Sequence, residues 1–167
     1  GQPKGVAMEH ANAANFIAWA NANFSREQLS NTLFSTSINF DLAVYELFAP
    51  LSVGAQITLV RDVLATDPSS PLSLINTVPS GINALLQSGG VPATTRTVNL
   101  AGEPLKRALV EQLFAQTEVA TVANLYGPTE TTTYSTWVAM DRNDGFVAHI
   151  GKPVANTRIY IVDAHLQ

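Results

Sequence analysis

The sequence predicts an α/β fold in which a mostly parallel sheet is flanked by helices. Short runs rich in β-branched residues alternate with segments of helical periodicity, and this order favours parallel strands joined by helical crossovers. Pro and Gly residues fall where these segments are expected to begin and end. The chain has 167 residues, of which 46% are hydrophobic, and this is sufficient for one compact core.

The first third of the chain supplies two helices and two strands. Residues 11–22 and 41–51 place apolar side chains at helical spacing. Residues 32–35 and 56–60 are short and rich in apolar or β-branched residues, which is typical of strands. The side chains expected to face the core from the two helices are Phe16, Ile17, Ala20, Val44, Phe48 and Leu51.

The middle of the chain continues the alternation. A loop rich in Pro, Ser and Asp at residues 65–71 precedes an apolar stretch, residues 72–78, that contains a strand. Pro79 is suited to the first turn of the next helix, and Gly89 to the position just after its end. Residues 97–100 are a further strand candidate.

The last predicted elements complete the sheet. A helix opens at Pro104, and residues 119–125 form the strand that follows it. Beyond that strand the chain is rich in Thr, and residues 132–138 and 158–162 are expected to be extended, antiparallel or peripheral segments. The leucines at helical spacing after Pro104 are Leu105, Leu109 and Leu113.

Charge and composition exclude several classes of function. There are 9 Lys and Arg against 13 Asp and Glu, and no basic run is present that would bind nucleic acid. No segment approaches the ~20 apolar residues that cross a bilayer, and the absence of Cys excludes disulfides and thiolate zinc sites. We expect a cytoplasmic protein that binds neither nucleic acid nor membranes. Since only 13% of the residues are charged, we also expect exposed apolar surface.

Two loops in the first quarter of the chain carry chemistry suited to ligands. Residues 1–5, Gly-Gln-Pro-Lys-Gly, are compatible with the end of a phosphate-binding loop or with a plain turn. Asp41 stands at the start of a predicted helix, with Leu42 and Tyr45 on a neighbouring face. The carboxylate suits either a helix cap or the wall of a pocket for an ammonium group.

Two more loops follow predicted strands, which is where parallel α/β sheets bind ligands. Residues 99–104 read Asn-Leu-Ala-Gly-Glu-Pro, and residues 124–131 read Asn-Leu-Tyr-Gly-Pro-Thr-Glu-Thr. The second loop offers the flat ring of Tyr126, the hydroxyl of Thr129 and a carboxylate at Glu130 that is suited to Mg²⁺. A plain β-turn followed by an exposed strand is the alternative.

Five motifs, in this order, give the chain a resemblance to a known family. They are Gly-Gln-Pro-Lys-Gly-Val at 1–6, Asn-Phe-Asp at 39–41, Asn-Leu-Ala-Gly-Glu-Pro-Leu at 99–105, Asn-Leu-Tyr-Gly-Pro-Thr-Glu at 124–130 and Ile-Gly-Lys-Pro at 150–153. Essentially the full length resembles the middle of a nonribosomal peptide synthetase adenylation domain, a member of the adenylate-forming, AMP-binding superfamily. The resemblance implies a flavodoxin-like α/β core in residues 1–125 and an adenine and Mg²⁺ loop with peripheral strands in residues 126–167.

The resemblance implies a ligase reaction. An amino-acid carboxylate attacks the α-phosphate of Mg·ATP, which gives an aminoacyl adenylate and pyrophosphate. The amino acid is then loaded on the phosphopantetheine thiol of a carrier protein. The partners implied are the remaining adenylation subdomains, the carrier protein and a condensation domain.

Individual residues acquire roles from the resemblance. Asp41 would pair with the α-ammonium group of the substrate, which is a charge-assisted contact. Tyr126 would stack on adenine, and Asn124 would hydrogen-bond its edge. Thr129 would contact the α-phosphate region, and Glu130 would hold Mg²⁺. The other residues assigned to nucleotide binding are Gly102, Gly127 and Lys4.

Side-chain selectivity in the family depends on positions that match Asp41, Leu42, Tyr45, Asn76, Asn99, Ala101, Leu125, Thr133 and Tyr134. The large side chains in this set leave little free volume. No charged residue other than Asp41 is expected to line the pocket, so a charged substrate side chain would be buried without a partner. The set resembles those associated with small substrates, alanine first, followed by cysteine, serine and glycine.

The sequence also departs from the family. The Ser/Thr/Gly-rich body of the phosphate loop, the ribose-binding aspartate and the small C-terminal domain with its lysine are not among these 167 residues. We therefore expect an excised substrate-selecting core that does not adenylate alone. Two alternatives remain: a piece of an acyl-CoA synthetase or aryl-acid ligase, which Asp41 disfavours because such acids carry no ammonium group, and a non-catalytic flavodoxin-like binding module.

Overall fold

The strands of the computed structural model, which describes residues 5–165, form one mixed seven-stranded sheet. Their order across the sheet is β2-β1-β3-β4-β5-β6-β7. Neighbours from β2 to β5 pair in parallel, whereas β6 and β7 extend the sheet by antiparallel pairing. The predicted mostly parallel α/β sheet is confirmed. The strands are β1 (Asn31–Phe34), β2 (Gln56–Leu59), β3 (Leu74–Thr77), β4 (Thr97–Leu100), β5 (Thr121–Tyr126), β6 (Thr136–Asp141) and β7 (Lys152–Pro153).

Helices cover both faces of this sheet. Pro79 occupies the first turn of its helix, as predicted, because a residue without an N–H loses no helical hydrogen bond there. Short 3₁₀ turns at Val63–Ala65 and Thr129–Thr131 supplement the helices. Within the described residues the helices are α1 (His10–Asn23), α2 (Leu42–Ser52), α3 (Pro79–Gln87) and α4 (Arg107–Gln116).

The alternation of side chains along the strands creates two apolar cores. Val98 of β4 and Leu113 of α4 belong to a core on the face covered by α3 and α4. Leu74 of β3 packs in a second core on the opposite face, with Trp19 of α1 and Tyr45 of α2. The predicted inward face of α1 is confirmed by this second core. The molecule therefore has three layers, helices on a sheet on helices.

The predicted inward face of α2 is wrong for two of its three residues. Tyr45, Glu46 and Ala49 face the core, and each is 0% exposed. Apolar spacing favours the opposite face because a glutamate normally marks the solvent side of a helix. Here hydrogen bonds hold Glu46 inside, and the exposed side of α2 is apolar instead. Val44 is half-buried and packs against the core as expected, whereas Phe48 and Leu51 are exposed and were wrongly expected there.

The helix predicted to open at Pro104 begins later, at Arg107. The preceding loop is held by the first turn of α3 instead. The carboxylate of Glu103 accepts hydrogen bonds from Ser80 N (2.8 Å) and Ser80 Oγ (2.7 Å). Leu105 lies in this loop and packs against the core without belonging to α4.

The segments after β5 agree with the prediction only in part, since residues 136–138 of the first predicted segment belong to the antiparallel strand β6. Thr132 and Thr133 have φ angles of 67° and 63°, so the chain turns before β6 and is not extended there. Residues 158–162 form no strand in the part of the chain that the structure describes, and Ile161 is 99% exposed. The outer strand is β7, whose Lys152 pairs with Trp137.

Apolar side chains are exposed at one edge of the sheet, in line with the low charged fraction. Leu59 of the edge strand β2 is 71% exposed. Phe48 and Leu51 of α2 are about half exposed, at 52% and 47%. Among residues 5–165, no helix combines the length and apolar character that spanning a bilayer requires.

Gly151 is required by the pairing of β6 with β7. Its φ is +84°, and a Cβ there would overlap the backbone of Trp137 and Val138. Gly89 has a similar φ of +67° but open space around the same position. We predict that Gly151→Ala lowers the free energy of unfolding by about 3 kcal/mol or more, whereas Gly89→Ala, which adds only backbone strain, costs about 1 kcal/mol. Urea denaturation measures both; equal losses would contradict the crowding at Gly151.

Candidate functional site

Two adjoining cavities open at the edge of the sheet where the parallel strands end. Register aligns these ends, because Thr77 pairs with Leu100 and Leu100 with Asn124. The β5 cavity, about 440 Å³, lies between the residues that follow β4 and β5. The α2 cavity, about 420 Å³, lies between the segment leading into α2 and the end of β3. Gly102 lines both, so ligands in the two cavities would meet beside its backbone.

The β5 cavity combines apolar surface with one directed amide. Tyr126 and Ile150 line it and are 52% and 48% exposed. Asn124 donates its Nδ2 to the carbonyl of His149 (3.2 Å). A carbonyl only accepts, so the contact fixes the orientation of the amide and leaves Oδ1 to accept a hydrogen bond from a ligand. This combination suits a flat ring that carries an amino group.

The loop that follows Tyr126 is folded tightly against the segment before β6. A Cβ on Gly127 would lie 2.6 Å from Ser135 N and 2.7 Å from Thr133 O, so only glycine fits. Ser135 N donates to the carbonyl of Tyr126 (2.7 Å). Thr132 and Thr133 are in the left-handed region, which is rare for β-branched residues and is often found at functional sites.

Thr129 and Glu130 lie in the exposed 3₁₀ turn that follows Gly127 and Pro128. Mg²⁺ usually takes one or two protein carboxylates and completes its shell with phosphate and water oxygens. An exposed glutamate beside the β5 cavity fits that donor set. Between residues 5 and 165, no group of three or more His, Cys, Asp or Glu side chains is placed to hold a metal ion by itself.

Asp41 lines the α2 cavity just before the helix begins. Its carboxylate makes no capping hydrogen bond, so a helix-cap role is not observed. Asp62 is a second carboxylate of this cavity, which contradicts the expectation that Asp41 is its only charged residue. Asp62 is already paired with Arg61 Nε (2.8 Å), and this hydrogen bond lowers the pKa of Asp62. Asp41 is therefore the carboxylate of this cavity that is suited to a ligand cation.

The remaining residues predicted to determine selectivity continue from the α2 cavity into the core. Leu42 lines the cavity and also packs on this part of the core. The rings of Tyr45 and Tyr134 are 6.0 Å apart, and the register of β3 and β4 places Asn76 beside Asn99. The residues of the predicted set that are at most 4% exposed are Tyr45, Asn76, Asn99, Ala101, Leu125, Thr133 and Tyr134.

Part of this buried cluster lacks hydrogen-bond partners. The hydroxyl of Tyr45 and both polar atoms of the Asn99 amide are buried without a partner in the described structure. Burial raises the pKa of Tyr45 far above its usual value, and the nearby Asn99 amide offsets only part of this effect without good hydrogen-bond geometry. Orphaned buried polar atoms are uncommon and often mark the place of a water or a ligand.

The other part of the cluster is fully bonded, and its centre is a residue that the sequence did not single out. Glu46 accepts hydrogen bonds from the N–H groups of Ser35 (2.8 Å) and Thr36 (2.9 Å), from Thr36 Oγ1 (2.6 Å) and from Asn76 Nδ2 (3.1 Å). Burial raises the pKa of Glu46, and these hydrogen bonds oppose the rise. The sequence signal for Glu46 is that it is the single acidic residue in the otherwise apolar run of α2.

Comparison with known proteins identifies the family. The sequence model of the family described as AMP-binding enzyme matches residues 1–167. The chain belongs to this AMP-binding enzyme family. It is 47% identical over 171 residues to a linear gramicidin synthase from Brevibacillus parabrevis, in a match that covers all of this chain and 3% of that protein.

Solved adenylation-domain structures share the fold. The four-domain nonribosomal peptide synthetase AB3403, bound to AMP and glycine, matches with a TM-score of 0.84 and 27% identity over all of this chain and 13% of that one. The Vibrio cholerae adenylation domain AlmE, in complex with glycyl-adenosine-5'-phosphate, matches with a TM-score of 0.74 and 27% identity over 92% of this chain and 30% of that one. The sequence resemblance to adenylation domains is thus confirmed, and the chain spans a small part of its relatives.

Most residues that the adenylation-domain resemblance assigned to ligands are brought together by the fold. Gly102, Asn124, Tyr126 and Gly127 line the β5 cavity. Lys4 lies outside the described residues. Sequence reasoning missed the cavity-lining side chains of Asp62 and Ile150, the carbonyl of His149 and the buried carboxylate of Glu46.

The raised pKa of Glu46 predicts that the stability of this adenylation-domain fold depends on pH. Because its pKa is raised in the folded state above 4.5, its contribution is fully present below that pH and is lost as the pH rises through the folded value. We compare the free energy of unfolding of the wild type with that of Glu46→Gln. We predict that the wild-type value minus the variant value decreases between about pH 5 and about pH 8. Urea denaturation at both pH values measures it, with Glu111→Gln, at an exposed position of α4, as control. A difference that grows with pH would contradict the raised pKa.

Proposed function

We propose that this chain is the substrate-selecting part of an amino-acid-activating adenylation domain, which forms an aminoacyl adenylate and pyrophosphate from an amino acid and Mg·ATP. The observation that carries the proposal is the junction of two cavities at Gly102, with Asp41 in one and Tyr126 in the other. An amino acid and a nucleotide placed there have their carboxylate and α-phosphate close together. Such placement supplies much of the acceleration in phosphoryl-type transfers.

The β5 cavity is the proposed adenine site. The ring of Tyr126 offers a flat surface on which the base stacks, and Ile150 adds apolar contact. The Oδ1 of Asn124, left available by the bond to His149, accepts a hydrogen bond from the amino group of adenine. Guanine presents a carbonyl at that position of its ring, so the same geometry disfavours it. Gly127 keeps the loop compact, and Gly102 packs beside the base.

The turn after the adenine site is the proposed phosphate side. The hydroxyl of Thr129 contacts the α-phosphate region, and Glu130 holds Mg²⁺. The ion supplies charge neutralisation on the phosphates when it is bound. Lys4, on the sequence that resembles a phosphate loop, is proposed as a supporting contact. Thr129 and Glu130 are therefore the residues of this chain proposed to act at the reacting phosphate.

The α2 cavity and the buried cluster behind it are the proposed amino-acid site. Asp41 pairs with the α-ammonium group, since the other carboxylate of the cavity is already neutralised by Arg61. The buried rings of Tyr45 and Tyr134 leave room for a small side chain only. We propose alanine as the preferred substrate, followed by cysteine, serine and glycine. The unpartnered atoms of Tyr45 and Asn99 favour a water molecule beside the substrate side chain.

The chain is proposed to work inside a larger synthetase. The matched adenylation domain AlmE is about three times as long as this region, since 92% of the chain covers 30% of it. The residues supplied here comprise an α/β core in residues 1–125 and the adenine and Mg²⁺ loop with outer strands in residues 126–167. The proposed partners are the remaining adenylation subdomains, a carrier protein with its phosphopantetheine arm, and a condensation domain.

Exchange of labelled pyrophosphate into ATP tests the proposal. The enzyme that contains this chain is expected to exchange most rapidly with alanine, and neighbours that differ by one small group are expected to be about tenfold or more slower. The 167-residue chain alone is expected to give no exchange. Exchange that depends on aryl or fatty acids, and not on amino acids, would favour an acyl-CoA synthetase or aryl-acid ligase instead.

Asp41→Asn tests the ammonium contact. The change keeps the size of the side chain but removes the charge that faces the α-ammonium group, so we expect kcat/KM for alanine to fall about 100-fold or more while the KM for ATP changes little. Asp62→Asn is the matched control, because this carboxylate lines the same cavity but is paired with Arg61. Equal losses in the two variants would contradict a specific role for Asp41.

A further inference from the structure

The buried carboxylate of Glu46 forms hydrogen bonds that connect the elements carrying the proposed selectivity residues. Glu46 of α2 is 0% exposed and accepts hydrogen bonds from the N–H groups of Ser35 and Thr36 through Oε2. Its Oε1 accepts from Thr36 Oγ1 and from Asn76 Nδ2 of β3. Asn76 Oδ1 in turn accepts from the hydroxyl of Tyr134, at 2.7 Å. One side chain of α2 is therefore linked to the β1 loop, to β3 and to the segment before β6.

The chain of hydrogen bonds from Glu46 has a defined direction. Both oxygens of Glu46 act as acceptors, so the amide of Asn76 turns its NH₂ group toward Glu46 and its oxygen away. The Asn76 oxygen then requires a donor, which the hydroxyl of Tyr134 supplies. Glu46 thus fixes the rotamers of Asn76 and Tyr134, which lie on other elements of the fold. Both belong to the set proposed to shape the amino-acid pocket.

The second oxygen of Glu46 holds the start of the segment that leads to Asp41. Ser35 and Thr36 follow β1 directly, line the α2 cavity and are bonded to Glu46 Oε2 through their N–H groups. The helix that carries Glu46 begins immediately after Asp41. The carboxylate of Glu46, which belongs to α2, therefore anchors the segment between β1 and α2 through the N–H groups of Ser35 and Thr36.

Stability alone does not call for an acidic residue at this position. Moving a carboxylate into a core costs several kcal/mol before its hydrogen bonds are counted, and a neutral polar residue avoids that cost. The opposite end of β1 shows such a neutral solution. Asn31, 8% exposed, accepts from Thr58 Oγ1 (2.9 Å) and donates to Pro71 O (3.2 Å) with no charged group.

We propose that Glu46 is a positioning residue for amino-acid selection, which orients Asn76 and the ring of Tyr134 and anchors the segment leading to Asp41. This inference rests on the proposed function, because it assigns the cluster to the amino-acid pocket. Glu46 acts through these neighbours and does not contact the substrate. Its removal is expected to change the use of the amino acid more than the use of ATP.

Glu46→Gln is the first test, measured by pyrophosphate exchange in the enzyme that contains this chain. Glutamine has the same size but brings an NH₂ group, so at least one of the donors around residue 46 loses its acceptor. We expect the KM for alanine to rise about tenfold while the KM for ATP stays within about twofold. An equal rise of both values would show a general structural effect and overturn the proposal.

A double-mutant cycle with Tyr134→Phe tests the link through Asn76. Tyr134→Phe removes only the hydroxyl at the far end of the hydrogen-bond chain. If the two side chains act through Asn76, the double variant loses about as much kcat/KM for alanine as the more damaging single variant, about tenfold and not about 100-fold. Losses that multiply would overturn the link.

Asn31→Ala is the matched control for breaking a buried polar cluster. It is expected to lower stability, because it leaves Thr58 and Pro71 without their partner, but to leave the KM for alanine unchanged. A rise in that KM equal to that of Glu46→Gln would overturn the proposal. If Glu46→Gln does not fold, Thr36→Val is used in its place, because this change removes only the hydrogen bond from the Thr36 side chain to Glu46 (2.6 Å). Thr36→Val is then expected to raise the KM for alanine and not the KM for ATP. If it does not, the proposal fails. Absence of amino-acid-dependent exchange in the wild type would overturn the proposed function, and this inference with it.

Discussion

Parallel pairing of β1, β3, β4 and β5 is the constraint on which the rest of the structure depends. Parallel strands need crossovers, and the crossover helix α2 lies with α1 on one face of the sheet, whereas the crossover helices α3 and α4 lie on the other. The same pairing brings the carboxyl ends of the strands to one edge. The segments after β1, β4 and β5 therefore meet there, although they are far apart in sequence. The two cavities are a direct consequence of this topology.

The second constraint is the polar content of the face covered by α1 and α2. An apolar core at this position would carry no desolvation cost, whereas buried polar groups need partners and buried carboxylates need several. Instead, β3 and β4 place Asn76 and Asn99 side by side, and α2 adds Glu46. Asn76 and Glu46 are satisfied within the protein, whereas Asn99 is not. Orphaned buried polar atoms such as those of Asn99 often mark the place of a water or a ligand.

The sequence predicted the layers of the fold and most of the candidate site, and the reasons for its failures are physical. Strands such as β4 were predictable because a buried parallel strand is a short apolar run with clear boundaries. The face of α2 was not, because hydrogen bonds from Ser35, Thr36 and Asn76 reverse the usual preference of a glutamate for solvent. These partners lie on other elements, and local periodicity carries no information about them.

The start of α4 failed for a related reason. Pro104 is suited to the first turn of a helix, but the neighbouring Glu103 is engaged by Ser80 of α3, so the helix begins only at Arg107. Both failures involve an acidic side chain that is bonded to a distant segment. In contrast, the positions of Asn124 and Tyr126 in the fold were predictable, because both belong to the end of a single strand whose direction is fixed by its neighbours.

Both the backbone conformation and the proposed chemistry favour a glycine at position 102. Its φ of +83° favours glycine, yet a Cβ would meet only Val78 Cγ1, at 3.4 Å, so packing alone would admit a side chain. The residue lines both cavities, and any side chain would project into the space where they adjoin. Ala101, immediately before it, is buried at 4% exposure and holds the strand end in the core. The left-handed turn thus lets the chain leave β4 with only a glycine at the place shared by the proposed amino-acid cavity and the proposed nucleotide cavity.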